Sequence, residues 1–173
     1  MIEVRDGARG PIERCQLLVR ELSHQECHEL LARLGYGRLA CVSENRPYIV
    51  PVYFAYESDC LYGFATMGKK IEWMRANPHV CVEADEVKSH NEWTSVIVQG
   101  RYQEYPDTPE HATLRQRAQS ALEKRTLWWQ TGFAAAQTRG KFDRDVPVFY
   151  CVHIEEISGH CASPDPVEAS FKH

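Results

Sequence analysis

The sequence predicts a mainly β protein, a small antiparallel barrel of six or seven strands with a few peripheral helices. Short runs rich in β-branched and aromatic residues recur along the chain, separated by turn-forming clusters. Helical patterns do not alternate with these runs, which argues against a doubly wound parallel sheet. The 173 residues, 43% hydrophobic and 25% charged, suit one globular domain with its own core. With no internal repeat and no interdomain linker, residues 1–173 read as a single domain with an N-terminal arm (1–20) and a C-terminal tail (159–173).

The arm turns apolar at Leu17, Leu18 and Val19, which suits a short strand or turn. Ser23 followed by Glu26 is a capping box. Cys27, Leu30, Leu31 and Leu34 then form one apolar helical face, and Gly35 stops a helix over 23–34. Arg38 to Val42, Tyr48 to Tyr56 and Cys60 to Ala65 make a three-stranded meander, with turns at SENRP and ESD. Pro51 inside the second run indicates an edge, a bulge or the approach of something other than a strand. A short helix, IEWMRA, runs into Asn77-Pro78, and the strand HVCVEAD follows. EVKSHNE reads as a loop, and Trp93 to Tyr105 as a long strand with a bulge at Gly100. A helix spans about 108–126, an irregular excursion follows it, and Val148 to Ile157 is the last strand. The Pro- and Ser-rich end reads as a loosely attached tail.

The net charge of −4 offers no global attraction for nucleic acid or an anionic membrane. No apolar run reaches the length of a membrane helix, and residues 1–15 lack a secretory signal pattern. A cytoplasmic location is expected. The seven cysteines are widely spaced with no C-x-x-C pair, so reduced structural thiols are expected. Cys41, Cys81 and Cys151 sit in apolar runs as small buried hydrophobes, whereas Cys161 is expected to be exposed.

The stretch Thr66-Met67-Gly68-Lys69-Lys70 carries the chemistry. A strand ends, a glycine turn follows, and two lysines enter the first turn of a helix, where cations oppose the helix dipole. A bound phosphate between strand end and helix N-terminus would account for them. Two solvated surface lysines on an ordinary turn would give the same pattern.

The stretches RPYIVPVYFAY and LYGFATMGKKIEWMRANPHVCVEAD, with WTSVIVQGRYQEY further on, resemble the pyridoxamine 5′-phosphate oxidase-like FMN-binding split-barrel family. They look closest to its nitroimidazole-resistance-like branch. The resemblance covers about 23–105 and the last strand. It implies a split barrel that dimerises, with FMN in grooves at the subunit interface and small-molecule oxidoreductase chemistry. By resemblance, Thr66, Gly68, Lys69 and Lys70 hold the FMN phosphate. Pro51, Val52 and Tyr53 would lie along the isoalloxazine. Trp93, Thr94 and Ser95 would approach from the partner chain, and Gln99 would add a polar contact.

The chain departs from the family's pyridoxamine-phosphate oxidases in its end, EEISGHCASPDP, which lacks their Arg/His substrate signature. Activity on pyridoxamine phosphate is not expected. The alternatives are a non-enzymatic flavin- or haem-binding protein or sensor and a deazaflavin-dependent reductase. His24 and His28 lie one helical turn apart without a third ligand, and read as a solvated face. Trp128, Trp129 and Phe133 read as cover for a barrel end or pocket. No metal site is expected, and no nucleophile elbow supports hydrolysis.

Overall fold

A computed structural model describes residues 17–125 and 147–164. In chain order the elements are β1 (Leu17–Glu21), α1 (His24–Arg33), β2 (Tyr36–Ser43), β3 (Arg46–Tyr53), β4 (Ala55–Glu57) and β5 (Cys60–Thr66). Then follow α2 (Lys69–Ala76), β6 (His79–Ser89), β7 (Glu92–Tyr105), α3 (Ala112–Glu123) and β8 (Pro147–Pro164). The eight strands form one antiparallel sheet in the order β3-β2-β6-β7-β8-β5-β4, with β1 on β8. The path begins at β3 and ends at β4, so the curved sheet is split between them. The predicted mainly β, split-barrel class is observed. The number of strands is higher because the run Tyr48 to Tyr56 breaks at Phe54 and the arm contributes β1.

Local chemistry explains most of the elements. Ser23 caps α1, its hydroxyl accepts from the Glu26 N–H, and the Glu26 carboxylate accepts from the Ser23 N–H at 2.8 Å. Two positive-φ pairs, Glu44-Asn45 and Ser58-Asp59, make two-residue turns that match the twist of the flanking strands. Pro47 and Pro51 both lie on β3, which pairs only with β2 among the described strands. That is where a residue without an N–H is tolerated. The expected irregularity at Gly100 is present: Gln99 and Gly100 face Glu156 and Ile154, which leaves Glu155 of β8 as the extra residue.

Alternate residues of β2, β5, β6 and β7 point inward with Leu30 and Leu31 of α1 and Ile71 and Met74 of α2 to form the main core. A second cluster lies under α3, where Ala118, Ala121 and Leu122 cover Tyr62, Tyr105 and Phe149. Arg125 secures the far end of α1 by donating to the carbonyls of Ala32, Arg33 and Leu34.

Four expectations are corrected. EVKSHNE is not a loop: β6 and β7 continue through it as a hairpin turning at His90 and Asn91. The tail is not loose over 158–164, where β8 continues between β1 and β7. Small and polar residues mask the strand, and pairing on both edges supplies what propensity lacks. Cys60 and Cys151 are not free thiols but are joined as a disulfide, with Cα atoms 5.8 Å apart on neighbouring strands. Cys81 and Cys161 are both half-buried rather than buried and exposed respectively. The excursion after residue 125, with Trp128, Trp129 and Phe133, and the chain beyond 164 lie outside the described residues.

Candidate functional site

Strand β5 delivers Thr66, exposed, to the barrel end where α2 begins. Gly68 occupies the N-cap position, and no side chain caps the helix. Its carbonyl accepts from the N–H groups of Ile71 and Glu72 at 2.9 and 3.1 Å. Among the described residues a Cβ added at Gly68 would meet nothing within 4 Å, so they leave the space beside the helix start open. Ile71 and Met74 anchor the other side of α2 in the core.

The two lysines differ in their surroundings. The Lys69 ammonium lies over two rings, 4.6 Å from the centroid of Tyr48 and 4.4 Å from that of Trp73. These rings meet edge to face at 5.5 Å, so they hold the cation by its attraction to their π-faces. Lys70 is half-buried, and burial pushes its ammonium below the usual lysine range. Among the described residues the influence that opposes this is the nearby Cys41 thiol rather than a carboxylate. Burial raises that thiol in turn, while Lys69 and Lys70 draw it down. A partly desolvated cation without a carboxylate partner among the described residues, beside a second cation and an uncapped helix N-terminus, can accept an anionic group.

The residues expected along a ring system fall on two sides of the sheet. Strand register puts Ile49, Pro51 and Tyr53 of β3 in rows with Ala40, Arg38 and Tyr36 of β2. The rows continue across β6 and β7, through Cys81 to Gln99 and Glu83 to Ile97. Trp93, Ser95 and Gln99 therefore share the outer face with Pro51 and Tyr53, because side chains alternate along a strand. Val52 points into the core and is buried. Thr94 faces the other way and lines a groove with Leu22, Glu26, Leu30 and Arg33 of the α1 region. Within one chain, Val52 can reach the outer face only through its backbone, and Thr94 does not reach it.

Tyr48 and Trp73 were not singled out from the sequence. Trp73 lies four residues after Lys69, one helical turn away, so that contact was legible as a same-face pair. Tyr48 arrives through the tertiary fold. Arg38 also went unmarked; it forms ion pairs with Asp85 and, at 3.3 Å, with Glu83. Burial is the first cause that lifts the Glu83 carboxyl, the Asp85 charge adds to it, and Arg38 opposes both. His28 is not simply solvated: its Nδ1 lies 2.8 Å from the Tyr56 hydroxyl, and the two rings stack.

Residues 23–161 match the family described as pyridoxamine 5′-phosphate oxidase. The chain is 38% identical over 146 residues to an uncharacterised protein of Rhizobium meliloti, covering 84% of this chain and 97% of that protein. The solved structure of an FAD-binding protein from Mesorhizobium loti is 44% identical, with a TM-score of 0.69 over 86% of this chain and 99% of that one. A proposed 5-nitroimidazole antibiotic resistance protein of Bacteroides thetaiotaomicron shares the fold, with a TM-score of 0.61 and 18% identity over 85% of this chain and 89% of that one.

Proposed function

The chain belongs to the pyridoxamine 5′-phosphate oxidase family, and on that premise we propose that it is an FMN-binding flavoprotein that acts as an oxidoreductase on a small molecule. The observation that carries this reading is the half-buried Lys70 ammonium, without a carboxylate partner among the described residues, next to Lys69 at the open start of α2. The phosphate of FMN supplies the missing negative charge. Lys70 pairs with it directly. Lys69 leaves or shares its place between Tyr48 and Trp73 to do so, and the Thr66 hydroxyl and the first N–H groups of α2 complete the cradle.

The exposed edge of β3 at Pro51, Val52 and Tyr53 is the candidate wall for the ring system. β3 pairs with β2 on one side and with no other strand among the described residues, so the open side of this strand can meet the polar rim of the ring. Bound in this place, the flavin supplies the redox chemistry, and the chain binds it, orients it and limits water. No side chain is assigned as general acid or base.

A second copy of the chain fits this reading. The outer face carries Tyr36, Val42, Ile49, Tyr53 and Ile97, all substantially exposed, with Ile49 at 64%. These apolar side chains flank the Arg38 ion pairs with Glu83 and Asp85 on the same face, a mixture of apolar and paired polar groups that suits a protein interface. In a symmetric homodimer it becomes an isologous interface, and Trp93, Ser95 and Gln99 of each copy approach the β3 edge of the other. Among the described residues no helix is long and apolar enough to cross a membrane, and a cytoplasmic site of action accords with the reading.

The test is purification followed by a visible spectrum and mass identification of whatever denaturation releases. FMN released in stoichiometric amount is the expected result. FAD would keep the flavin site and correct the cofactor. A Soret band with released haem, or a deazaflavin, would replace the reading by one of the alternatives. Turnover of a reductant in the presence of a small-molecule acceptor then tests the oxidoreductase part.

A further inference from the structure

A second group of chemically capable side chains lies away from the lysines. Cys60 opens β5, whereas Thr66 closes it. The six intervening steps place the two regions roughly 20 Å apart, at about 3.3 Å per residue. Cys60 is directly opposite His153 across the β5–β8 ladder, and Cys151 lies two residues before His153 on the same face. Two thiol sulfurs and one imidazole nitrogen thus converge, all within 4.8 Å of one another. The cysteines are buried beneath the residues of α3, and His153 is exposed at the rim.

We propose that Cys60, Cys151 and His153 form a redox-gated site for a thiophilic divalent ion such as zinc. The donor set points to this chemistry: two thiolates and a neutral imidazole favour zinc over magnesium or calcium, which prefer oxygen. Ligand atoms around a tetrahedral zinc are about 3.5 Å apart, so the two sulfurs part from bonding distance on reduction while all three groups already lie within 4.8 Å of one another. His153 is also held in place: its Nε2 lies 2.6 Å from Gln103 Oε1 on β7. That contact occupies one ring nitrogen and leaves the other as a donor, the arrangement that outer partners give to metal-binding histidines. Three protein ligands leave a fourth position for water or another small ligand.

The disulfide is the metal-free, oxidised state of the same site. A dithiol reductant supplies two electrons and two protons, breaks the S–S bond and is itself oxidised to a disulfide. The two thiols then lose their protons to solvent as the ion binds. The metal ties β5 to β8 under α3 just as the disulfide does, so the fold keeps its cross-link in either state.

The full-length protein is reduced with a phosphine, freed of metal, and titrated anaerobically with Co²⁺ and then with competing Zn²⁺. A thiolate-to-cobalt charge-transfer band at one equivalent, bleached by zinc, is expected. Cys60→Ser and Cys151→Ser should each remove it. His153→Ala changes an exposed residue that the core does not need, and should lower affinity at least about tenfold. Absence of the band in reduced wild type overturns the site. So does a band that survives in the Cys60→Ser/Cys151→Ser double variant, because other cysteines would then be the ligands. Unchanged affinity in His153→Ala also overturns the three-ligand assignment.

Discussion

The Arg75 guanidinium grips the Glu104 carboxylate through two hydrogen bonds of 2.7 Å, Nε to Oε2 and Nη2 to Oε1, and fastens α2 to β7. The Tyr102 hydroxyl adds a third bond to the same carboxylate at 2.8 Å. Helix α2 is thereby held at its C-terminal end while its N-terminal end presents Lys69 and Lys70. The paired geometry keeps the Glu104 carboxyl below the usual carboxylate range, first through the Arg75 hydrogen bond.

The pair makes an acid-sensitive contribution to stability. A depressed carboxyl contributes fully above the ordinary carboxylate value, and the contribution is lost as pH falls through the lower folded value. Arg75 is half-exposed, so solvent screening limits the pair to about 1 kcal/mol. Glu104→Gln should lower the denaturation midpoint at neutral pH. It should also flatten the decline in stability between about pH 5 and 3 relative to wild type. Urea titrations at three pH values check this, and parallel curves for the two proteins would count against it.

The lysine pair should discriminate between flavins by their phosphate. Lys69→Ala/Lys70→Ala is expected to weaken FMN binding on the order of a hundredfold or more, from two charge-assisted contacts of about 1.5–3 kcal/mol each. Riboflavin, which lacks the phosphate, should bind nearly as before. Fluorescence titration with both ligands reads the difference, and an equal loss for both would refute the phosphate assignment. Trp73 reports on the Lys69 contact, so its emission should change when FMN binds to wild type.

What was legible in the sequence was local. The Ser23–Glu26 capping box lies within one helical turn, and the turns at Glu44-Asn45 and Ser58-Asp59 are each two residues long. The Gly68-Lys69-Lys70 start of α2 was readable because strand end, glycine and cations are contiguous. What was hidden depends on distant partners. Arg125 reaches the end of α1 from across the chain, and Cys60 meets Cys151 at a sequence separation of 91. The strand over 158–164 has no β-forming composition, and exists because β1 and β7 pair with it. The family resemblance implied a role for Thr94, but strand alternation turns it toward the α1 groove.

Assembly follows from the outer sheet face. A charge at Ile49 would be buried against a second copy without a partner, which costs far more than it does on an open surface. Wild type should therefore sediment at about twice the chain mass of 19.9 kDa, and Ile49→Asp should shift the population to monomer. If the outer face completes the flavin site, the variant should also lose flavin. A wild-type monomer that binds one FMN tightly would rule the dimer out.

The thiols should report both the barrel and the assembly. Cys27 and Cys41 are buried, and burial raises both thiols, so little thiolate is available and access is blocked. They should resist alkylation until denaturant is added. Cys60 and Cys151, as a disulfide, should react only after reduction. Cys161 is half-buried beside the α1 groove and should react first in the native protein. Cys81 is the informative one. It sits on the outer face between Ala40 and Gln99, and burial raises its thiol even within one chain. In a dimer built on that face it should react slowly, and Ile49→Asp should speed it while leaving Cys27 and Cys41 protected. Peptide mapping after timed alkylation separates these sites. Fast labelling of Cys81 in wild type would place the interface elsewhere, and fast labelling of Cys41 would contradict the barrel itself.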